Sequence, residues 1–480
     1  MNKALSAIAA VLMLFLLPSR GEQHWNIHEW GTFTSLQDES GYAIGGINTD
    51  DEPVPAFVHQ LAAFLLLQPT EAPPIFFKGA PSCHPDVTMR LETPVLYFHS
   101  PSSEQRLSDV TVTVQFRGGW LSEYYPDAKP KAPGLNDPST FRFNHLRSDT
   151  VSSLEWSHLE IGGDWPITNT TARVWVSPRA VNASLVHDTN GESEKFLFYR
   201  GVGHIDAPLT ISRDGRELVF RSQLGNLSPD QPLTVQSIWL VDIKRGGQVA
   251  FRALPPLTLG RDTNTVLTKT SASFKPGDFS SENMRTLKSS LQRALVSEGL
   301  YKDEAQALLN TWELSYFKSA GLRVFFILPQ EWVDYYLPLN ISIPADMNRV
   351  MVGRIELVTP EQRAELEALS CFTKQQIEQD LGQLATNFYG KITYNFSTNK
   401  PPPAAMQQMN KELAQVEAGQ IKLASFVSVP KSYQIYLNLG RFRNALVLEA
   451  AKSPTIEGLT NFIAAYRLEA YKPADNPPNL

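Results

Sequence analysis

The chain has 480 residues, of which 42% are hydrophobic and 19% are charged, and its formal net charge is −6. This composition is typical of a globular protein that can build real cores, and the length favours two or three domains. The acidic balance and the lack of a Lys/Arg cluster in the sequence argue against nucleic acid as a partner.

The first 21 residues have the pattern of a secretory signal peptide. Lys3 supplies a positive charge, Ala4 to Leu17 form an apolar run, and small residues precede a cleavage site after Gly21. The run is shorter than the roughly 20 residues that cross a bilayer, and no later stretch of the sequence is comparably apolar. We therefore expect a soluble protein that is periplasmic or extracellular and has no membrane span after cleavage.

Residues 22–270 have the pattern of an antiparallel β domain. Between Val87 and Leu267 the sequence alternates apolar and polar residues, with turn signals at Asn190-Gly191, Asp214-Gly215 and Gly246-Gly247. The segments SDVTVTVQF, SSLEWSHLEI and TARVWVSP predict further strands. We expect an α+β protein whose N-terminal domain is an antiparallel β-sandwich, with the N-terminal segment included in it.

The second half changes to a mixed pattern. Apolar residues at helical spacing predict a helical hairpin from Ser280 to Gly321, and LRVFFILP and RVMVGRIELVTP predict buried strands. Pro360 opens another helix. We expect a mixed α/β domain at 271–400, a Pro-rich connector in STNKPPPAAM, and a helical segment at 401–480 that includes Ala404–Ala418 and the residues after Arg441.

The sequence excludes several common cofactors and activities. It has no CxxC or CxxCH, and no GxSxG, HExxH, GxxxxGK or GxGxxG motif, so structural zinc, covalent haem, nucleotides and flavins have no signature here. A divalent metal held by distant residues remains compatible with the sequence. The two cysteines, Cys83 and Cys371, are either a disulfide or two buried thiols.

All nine histidines lie in the first 204 residues, so a site that depends on histidine must involve the N-terminal half. In HEWGTFTS, His28 is a candidate base or metal ligand beside the carboxylate of Glu29. Adjacent residues of a strand point to opposite faces, so both serve one site only if the backbone is irregular, which Gly31 permits. The alternative is a plain strand with a solvated carboxylate.

Three further segments contribute candidates. In MRLETPVLYFHS a strand would place His99 beside Tyr97 on one face, and Glu92 precedes Pro94. The loop GGWLSEYYPD suits an aromatic-lined binding site, or it packs its aromatic residues on the core. In FLFYRGVGHID, Arg200 either binds a ligand anion or forms an ion pair between strands.

The candidate site residues fall into three groups. Candidate catalytic residues are His28, Glu29, Glu92, His99 and Glu123; candidate substrate-binding residues are Trp120, Tyr124, Tyr199 and Arg200; candidate metal ligands are His28, His59 and His99.

The segments HEWGTFTS, ETPVLYFHS, FLFYRGVG and RVMVGRIELVTPEQR resemble a group of exported bacterial proteins without an assigned activity. The resemblance covers most of the mature chain. It implies bacterial export, and it assigns no cofactor and no catalytic residue to this sequence.

Two functions fit these observations. The first is a hydrolase that uses metal-assisted or acid/base chemistry at a His/Glu site in the N-terminal half, acting on a small molecule. The second is a noncatalytic envelope protein that binds a glycan or a protein through loops of the sandwich. An enzyme should bring His28, Glu29, Glu92 and Glu123 to one site, whereas a binding protein should leave them apart.

Overall fold

The computed structural model describes residues 24–47, 49–50, 54–61, 68–69, 83–102, 105–135, 143–393, 428–453, 458–466 and 468–474. The predicted signal peptide, the Pro-rich connector and the predicted helix at Ala404–Ala418 lie outside these ranges.

The centre of the fold is a long strand, β1 (Trp25–Gln37), which is buried along nearly its whole length. Its Trp, Phe, Ile and Thr residues favour an extended backbone and pack on both faces of a sheet. β1 pairs in parallel with β22 (Ala345–Leu357) and antiparallel with β5 (Met89–His99). Strands from the first and the second half of the sequence therefore meet at the middle of one sheet.

The largest sheet contains 15 strands among the described residues, and its main path runs β11-β10-β9-β7-β12-β5-β1-β22-β20-β16-β17. Its strands before residue 204 are β1, β3 (His59–Gln60), β5, β6 (Leu107–Arg117), β7 (Gly119–Tyr125), β8 (Lys129–Lys131), β9 (Val151–Ile161), β10 (Val186–His187), β11 (Ser193–Glu194) and β12 (Leu197–Gly203). Its later strands are β16 (Ile238–Ile243), β17 (Val249–Leu254), β20 (Gly321–Ile327), β21 (Leu339–Ile341) and β22.

Three small sheets accompany the large one. They are β13-β14-β19, made of Leu209–Asp214, Glu217–Ser222 and Val266–Ser271; β15-β18, made of Leu233–Val235 and Leu257–Leu259; and β2-β4, made of Thr49–Asp50 and Gln68–Pro69. The predicted turns are present: Gly215 (φ 57°) joins β13 to β14, and Gly247 (φ 78°) joins β16 to β17. Glycine adopts these positive φ angles without the clash that a Cβ would cause.

The helices lie mainly in the second half. They are α1 (Arg173–Arg179), α2 (Glu282–Ser297), α3 (Lys302–Thr311), α4 (Gln330–Tyr336), α5 (Pro360–Ser370), α6 (Lys374–Thr393), α7 (Lys431–Asn438), α8 (Arg443–Ala450) and α9 (Gly458–Tyr466). The predicted helical hairpin corresponds to α2 and α3, and the helix predicted at Pro360 is α5.

One predicted strand is wrong. The segment TARVWVSP forms α1 instead, which packs against α3. Its valines imitate an alternating strand, but Val174, Trp175 and Pro178 are buried, at spacing i, i+1 and i+4, while Val176 is 46% exposed. That spacing is the period of a helix and not of a strand.

Both faces of the large sheet are covered. On one face, odd-numbered β1 residues such as Ile27 and Phe33 join a core with Trp332 of α4. On the other face, Trp30 packs in a core with α2 and α3. A third core lies among α5 to α9. His28, which has the same parity as Trp30 in β1, therefore points toward α2 and α3.

The structure confirms a chain that mixes helices and strands, with strands predominating, and it does not confirm a β-sandwich. The domain boundary predicted at residue 270 stays a prediction. Main-chain hydrogen bonds join strands from its two sides, between β1 and β22 and between β16 and β20. Cys83 is a buried free thiol and Cys371 an exposed one. Among the described residues, no helix is both long enough and apolar enough to cross a membrane.

Candidate metal centre

Two histidines and one glutamate meet at the beginning of α3. His28 Nδ1 lies 2.8 Å from Glu304 Oε2, and His99 Nε2 lies 2.9 Å from Glu304 Oε1. The three side chains are buried, and the atoms that they offer as ligands lie within 4.8 Å of one another. We call His28, His99 and Glu304 the metal triad.

Strand pairing and the position of α3 explain why these three side chains meet. His28 of β1 pairs with Tyr97 of β5, so His99, two residues beyond Tyr97, projects from the same face of the sheet. The two imidazole centroids are 4.9 Å apart. Glu304 lies in the first turn of α3, where a carboxylate interacts favourably with the helix dipole, and it accepts the backbone N–H of Tyr301 at 2.7 Å.

The His99 ring is fixed from both sides. Its Nδ1 lies 3.2 Å from the carbonyl oxygen of Asn182, whose backbone N–H donates to Asp303 Oδ2 at 2.9 Å. A carbonyl oxygen only accepts, so the Nδ1–H of His99 donates to Asn182, and Nε2 is the nitrogen that faces Glu304.

The triad carboxylate is held in its charged form. Burial raises the pKa of Glu304, but the hydrogen bonds from His28 and His99, the charge of His28 and the Tyr301 N–H together bring that pKa below its ordinary value. A charged carboxylate with two imidazoles is a donor set suited to zinc or another divalent transition metal. The backbone carbonyl behind His99 is the kind of partner that orients a metal-bound histidine.

Tyr301 forms the outer wall of the triad. Its ring centroid lies 4.5 Å from that of His28 and 4.7 Å from that of His99, and the residue is 42% exposed. Its hydroxyl lies 3.5 Å from Asn26 Nδ2. Tyr301 therefore lies between the triad and solvent.

Glu29 does not join its neighbour His28. It projects from the opposite face, where Tyr199 donates a hydrogen bond to Oε1 and Arg349 Nε donates to Oε2 at 2.7 Å. The irregularity in β1 falls between Trp30 and Thr32, beyond both residues, so it does not bring them together. Glu29 and Tyr199 are thus parts of an internal ion-pair network.

Glu92 of β5 projects from the same face of the sheet as His28, but it lies opposite Thr32, farther along β1. Its Oε2 accepts from Thr34 Oγ1 at 2.8 Å and from the Tyr316 hydroxyl at 2.7 Å, while Arg441 and Arg90 contact Oε1. Glu92 therefore forms ion pairs with arginines, and it does not lie beside His28 or His99 as the predicted catalytic base would.

Glu123 and Arg200 form a buried ion pair across β7 and β12, with Glu123 Oε2 and Arg200 Nη1 separated by 3.1 Å. Arg200 also donates to Thr93 Oγ1 at 3.3 Å. This is the interstrand pair that the sequence offered as the alternative to ligand binding.

The expected aromatic binding loop is a buried strand. All seven residues of β7 are buried, and Trp120 donates through Nε1 to the Pro133 carbonyl at 2.7 Å. Tyr124 stacks on His59 with ring centroids 5.4 Å apart. Gly118 thus forms the turn before β7, and β7 packs its aromatic residues on the core.

His59 lies away from the triad. Its Nε2 is 2.9 Å from Glu192 Oε2, and β3 pairs with β7, which is separated from β1 by two strands. The structure therefore brings together His28 and His99 of the predicted residues and adds Glu304, which the sequence analysis missed. The four residues expected to converge in an enzyme, His28, Glu29, Glu92 and Glu123, occupy separate clusters.

Solved structures with a weak likeness to this chain include two mu-homology domains. The Fcho1 Mu homology domain of Danio rerio, with a bound Eps15 peptide, is 9% identical with a TM-score of 0.23 and matches 70% of this chain and 94% of its own. The yeast delta-COP-I mu-homology domain, complexed with a Dsl1 WxWxV peptide, is 9% identical with a TM-score of 0.23 and matches 70% and 96%. Scores this low do not bear on function. No family model and no curated protein matches the chain.

Proposed function

We propose that the protein is an exported hydrolase that binds one divalent transition metal, with zinc the best fit, through the metal triad. The observation that carries this proposal is the meeting of two imidazoles and one carboxylate at Glu304, with His99 Nδ1 facing a backbone carbonyl. Residues distant in the sequence thus form a ligand set that has the chemistry of catalytic zinc sites.

Three protein ligands leave a coordination position for water or substrate. A metal in such a site supplies a Lewis acid and lowers the pKa of bound water toward neutrality. Around it, Glu304 balances charge, Asn182 orients His99, and Tyr301 limits solvent access. This arrangement supports metal-assisted hydrolysis rather than the acid/base version, because Glu29, Glu92 and Glu123 are all engaged with arginines elsewhere.

The test begins with metal content. Purified protein should carry about one equivalent of zinc or a similar metal by elemental mass spectrometry, and chelator should lower its Tm. H28A, H99A and E304Q should lose the metal, while H158A, which alters an exposed histidine paired with Asp109, should retain it. A wild-type protein that binds no added zinc, cobalt or manganese would overturn the proposal.

Activity is tested separately with chromogenic carboxylic esters, phosphoesters and peptides. Hydrolysis of one class should stop with chelator, return with metal, and be absent in H99A. Stoichiometric metal without hydrolysis of any class would contradict the enzyme while leaving the metal centre intact.

The alternative, a noncatalytic envelope protein that binds a glycan or a protein, is favoured by one observation. The predicted carboxylates lie in separate buried ion-pair clusters instead of around one site. Under this proposal the triad stabilises the fold, and H99A should change Tm without changing partner binding. A glycan array and a pull-down from envelope extract, compared between wild type and H99A, distinguish the two functions.

A further inference from the structure

Residues 471–474 are docked on two earlier segments of the chain, and we call them the C-terminal strap. The N–H of Tyr471 donates to the Cys83 carbonyl at 2.9 Å, and the N–H of Ala474 donates to the Phe143 carbonyl at 2.8 Å. In return, the Phe143 N–H donates to the Tyr471 hydroxyl at 2.6 Å. A short segment that is held by bonds of this kind opens locally at low cost.

The imidazole of His84 lies under the strap. The Tyr471 ring stacks on it with centroids 5.6 Å apart, and Trp120 of β7 meets it edge-on at 5.4 Å. On the same segment, the Cys83 thiol stays neutral because burial raises its pKa to about 11. His84 is only 1% exposed, so the docked strap encloses its ring between the two aromatic side chains.

Hydrogen bonds hold the His84 ring in its neutral form. Its Nε2 lies 3.0 Å from the carbonyl oxygen of Asn144, which only accepts, so Nε2 carries the proton. Its Nδ1 lies 3.3 Å from the backbone nitrogen of Asp86 and accepts that N–H. Both ring nitrogens are therefore satisfied in one neutral tautomer, and a second proton at Nδ1 would face an N–H donor.

One carboxylate and two further histidines surround His84. Asp86 Oδ2 lies 2.8 Å from His145 Nδ1 and accepts the Leu146 N–H at 3.1 Å. The backbone carbonyl of Asp86 lies 2.6 Å from Nδ1 of His204, which follows β12. The Asp86 carboxylate therefore has hydrogen-bond partners other than His84.

The charged form of His84 is disfavoured while the strap is docked. Burial lowers the pKa of His84, and the charges of His145 and His204 act in the same direction. The Asn144 carbonyl and the charge of Asp86 oppose this shift without reversing it. A proton therefore binds His84 more readily when the strap is released and water reaches the ring. By linkage, docking is strongest above the ordinary histidine pKa of about 6.5 and weakens as pH falls below that value.

We propose that His84 and the C-terminal strap form an acid-sensitive switch, in which a proton on His84 releases residues 471–474 from the segments at Cys83 and Phe143. The added proton at Nδ1 replaces an accepted hydrogen bond with two opposed N–H donors and leaves a charge buried. Attraction between the Tyr471 ring and an imidazolium offsets part of this cost, but water solvates the charge once Tyr471 has moved away. Release uncovers the His84 ring and the Phe143 side chain, whose ring centroid lies 5.3 Å from that of Tyr471.

The switch is local, because the chain just before the strap is held elsewhere. Leu468 is 3% exposed and belongs to the core among α5 to α9, and its N–H donates to the Ile463 carbonyl of α9 at 2.9 Å. Leu468 therefore stays in place when residues 471–474 leave. The switch goes beyond the proposed metal centre, since no step in it involves the triad.

The experiment measures hydrogen exchange by mass spectrometry in the full mature protein, with chelator present so that metal plays no part. Exchange rates are corrected for the intrinsic effect of pH. The peptide that carries Tyr471 and Ala474 should lose protection at least tenfold between about pH 7.5 and pH 5, while a peptide from β20 should keep its protection. H84Q, which cannot take up the proton, should keep the strap equally protected at both pH values.

H145Q and H204Q are the matched controls, and both should keep the tenfold loss of protection. If H84Q opens the strap at neutral pH as well, these two variants decide the assignment, because a loss that disappears in either one places the proton on that histidine. Such a result overturns the inference. It is also overturned if protection of the wild-type strap does not change with pH, or if H84Q loses protection in acid as wild type does.

Discussion

His28 Nδ1 lies 2.8 Å from Glu304 Oε2, although 276 residues separate the two in the chain. This contact joins the central strand β1 to the first turn of α3 inside the protein. It therefore ties the helical hairpin to the sheet as well as forming part of the proposed metal centre.

Removal of the Glu304 carboxylate should destabilise the protein. E304A leaves two imidazoles and the Tyr301 N–H without their shared acceptor, and we expect a loss of about 3 kcal/mol. E304Q retains an acceptor and most of the packing, so its loss should be nearer 1 kcal/mol. Urea unfolding at pH 7 measures both values.

The matched control is E313A, since Glu313 forms its ion pair with Lys288 in a partly exposed position. Its loss should stay below about 1 kcal/mol. Equal losses for E304A and E313A would contradict a structural role for the triad.

Tyr301 should control how fast metal leaves the triad. Y301A removes the ring that lies against both histidines, so chelator should strip the metal at least tenfold faster than from wild type. Y301F keeps the ring and loses only the hydroxyl, which makes a long 3.5 Å contact with Asn26, so its rate should match wild type. A stopped-flow chelator assay gives the rates, and equal rates for Y301A and Y301F would rule out this role.

Much of the backbone could be predicted from the sequence. Local patterns were sufficient for β1, the hairpin turn at Gly215, the α2–α3 pair and the strand β22. They failed at α1, because its valines at positions 174 and 176 alternate as in a strand while Trp175 and Pro178 pack with helical spacing.

Only two of the three members of the triad were predictable. His28 and His99 stood out because histidines are few and their segments read as strands. Glu304 gave no such signal, since Asp303-Glu304 is an ordinary acidic first turn of a helix. Nothing local indicates that this turn docks on β1 and β5, because that contact depends on how α3 packs on the sheet.

A group of buried arginines on the large sheet was unpredictable for a related reason. Arg90, Arg323 and Arg354 lie on three different strands and look like isolated surface cations in the sequence. Only the pairing of β5, β1, β22 and β20 shows that they share one face. Parallel pairing of β1 with β22 joins strands more than three hundred residues apart, which no local pattern predicts.

Acid should weaken the link between Glu39 and Arg363. Burial raises the pKa of Glu39, but the hydrogen bonds and charge of Arg363 outweigh it and leave the pKa lowered. A carboxyl with a lowered pKa in the folded state contributes stability above its unfolded pKa, and this contribution is lost as pH falls through the folded value. E39Q should therefore lose less stability than wild type between pH 6 and pH 3.

Glu298 provides a control of opposite sign, because burial alone raises its pKa. Protonation of Glu298 favours the folded state, so E298Q should lose more stability than wild type over the same pH range. Urea midpoints at several pH values test both variants, and parallel pH profiles for E39Q and E298Q would refute the assignment.

The two thiols should differ sharply in reactivity. Burial raises the pKa of Cys83 to about 11, whereas Cys371 is exposed at the end of α5. Since only a thiolate attacks a disulfide reagent, native protein at pH 8 should react quickly at one thiol and release the second only in denaturant. C371S should abolish the fast phase. An exposed, free Cys371 should react without any reductant. If both thiols instead appeared only after reduction, the two cysteines would be bridged and the prediction would be wrong.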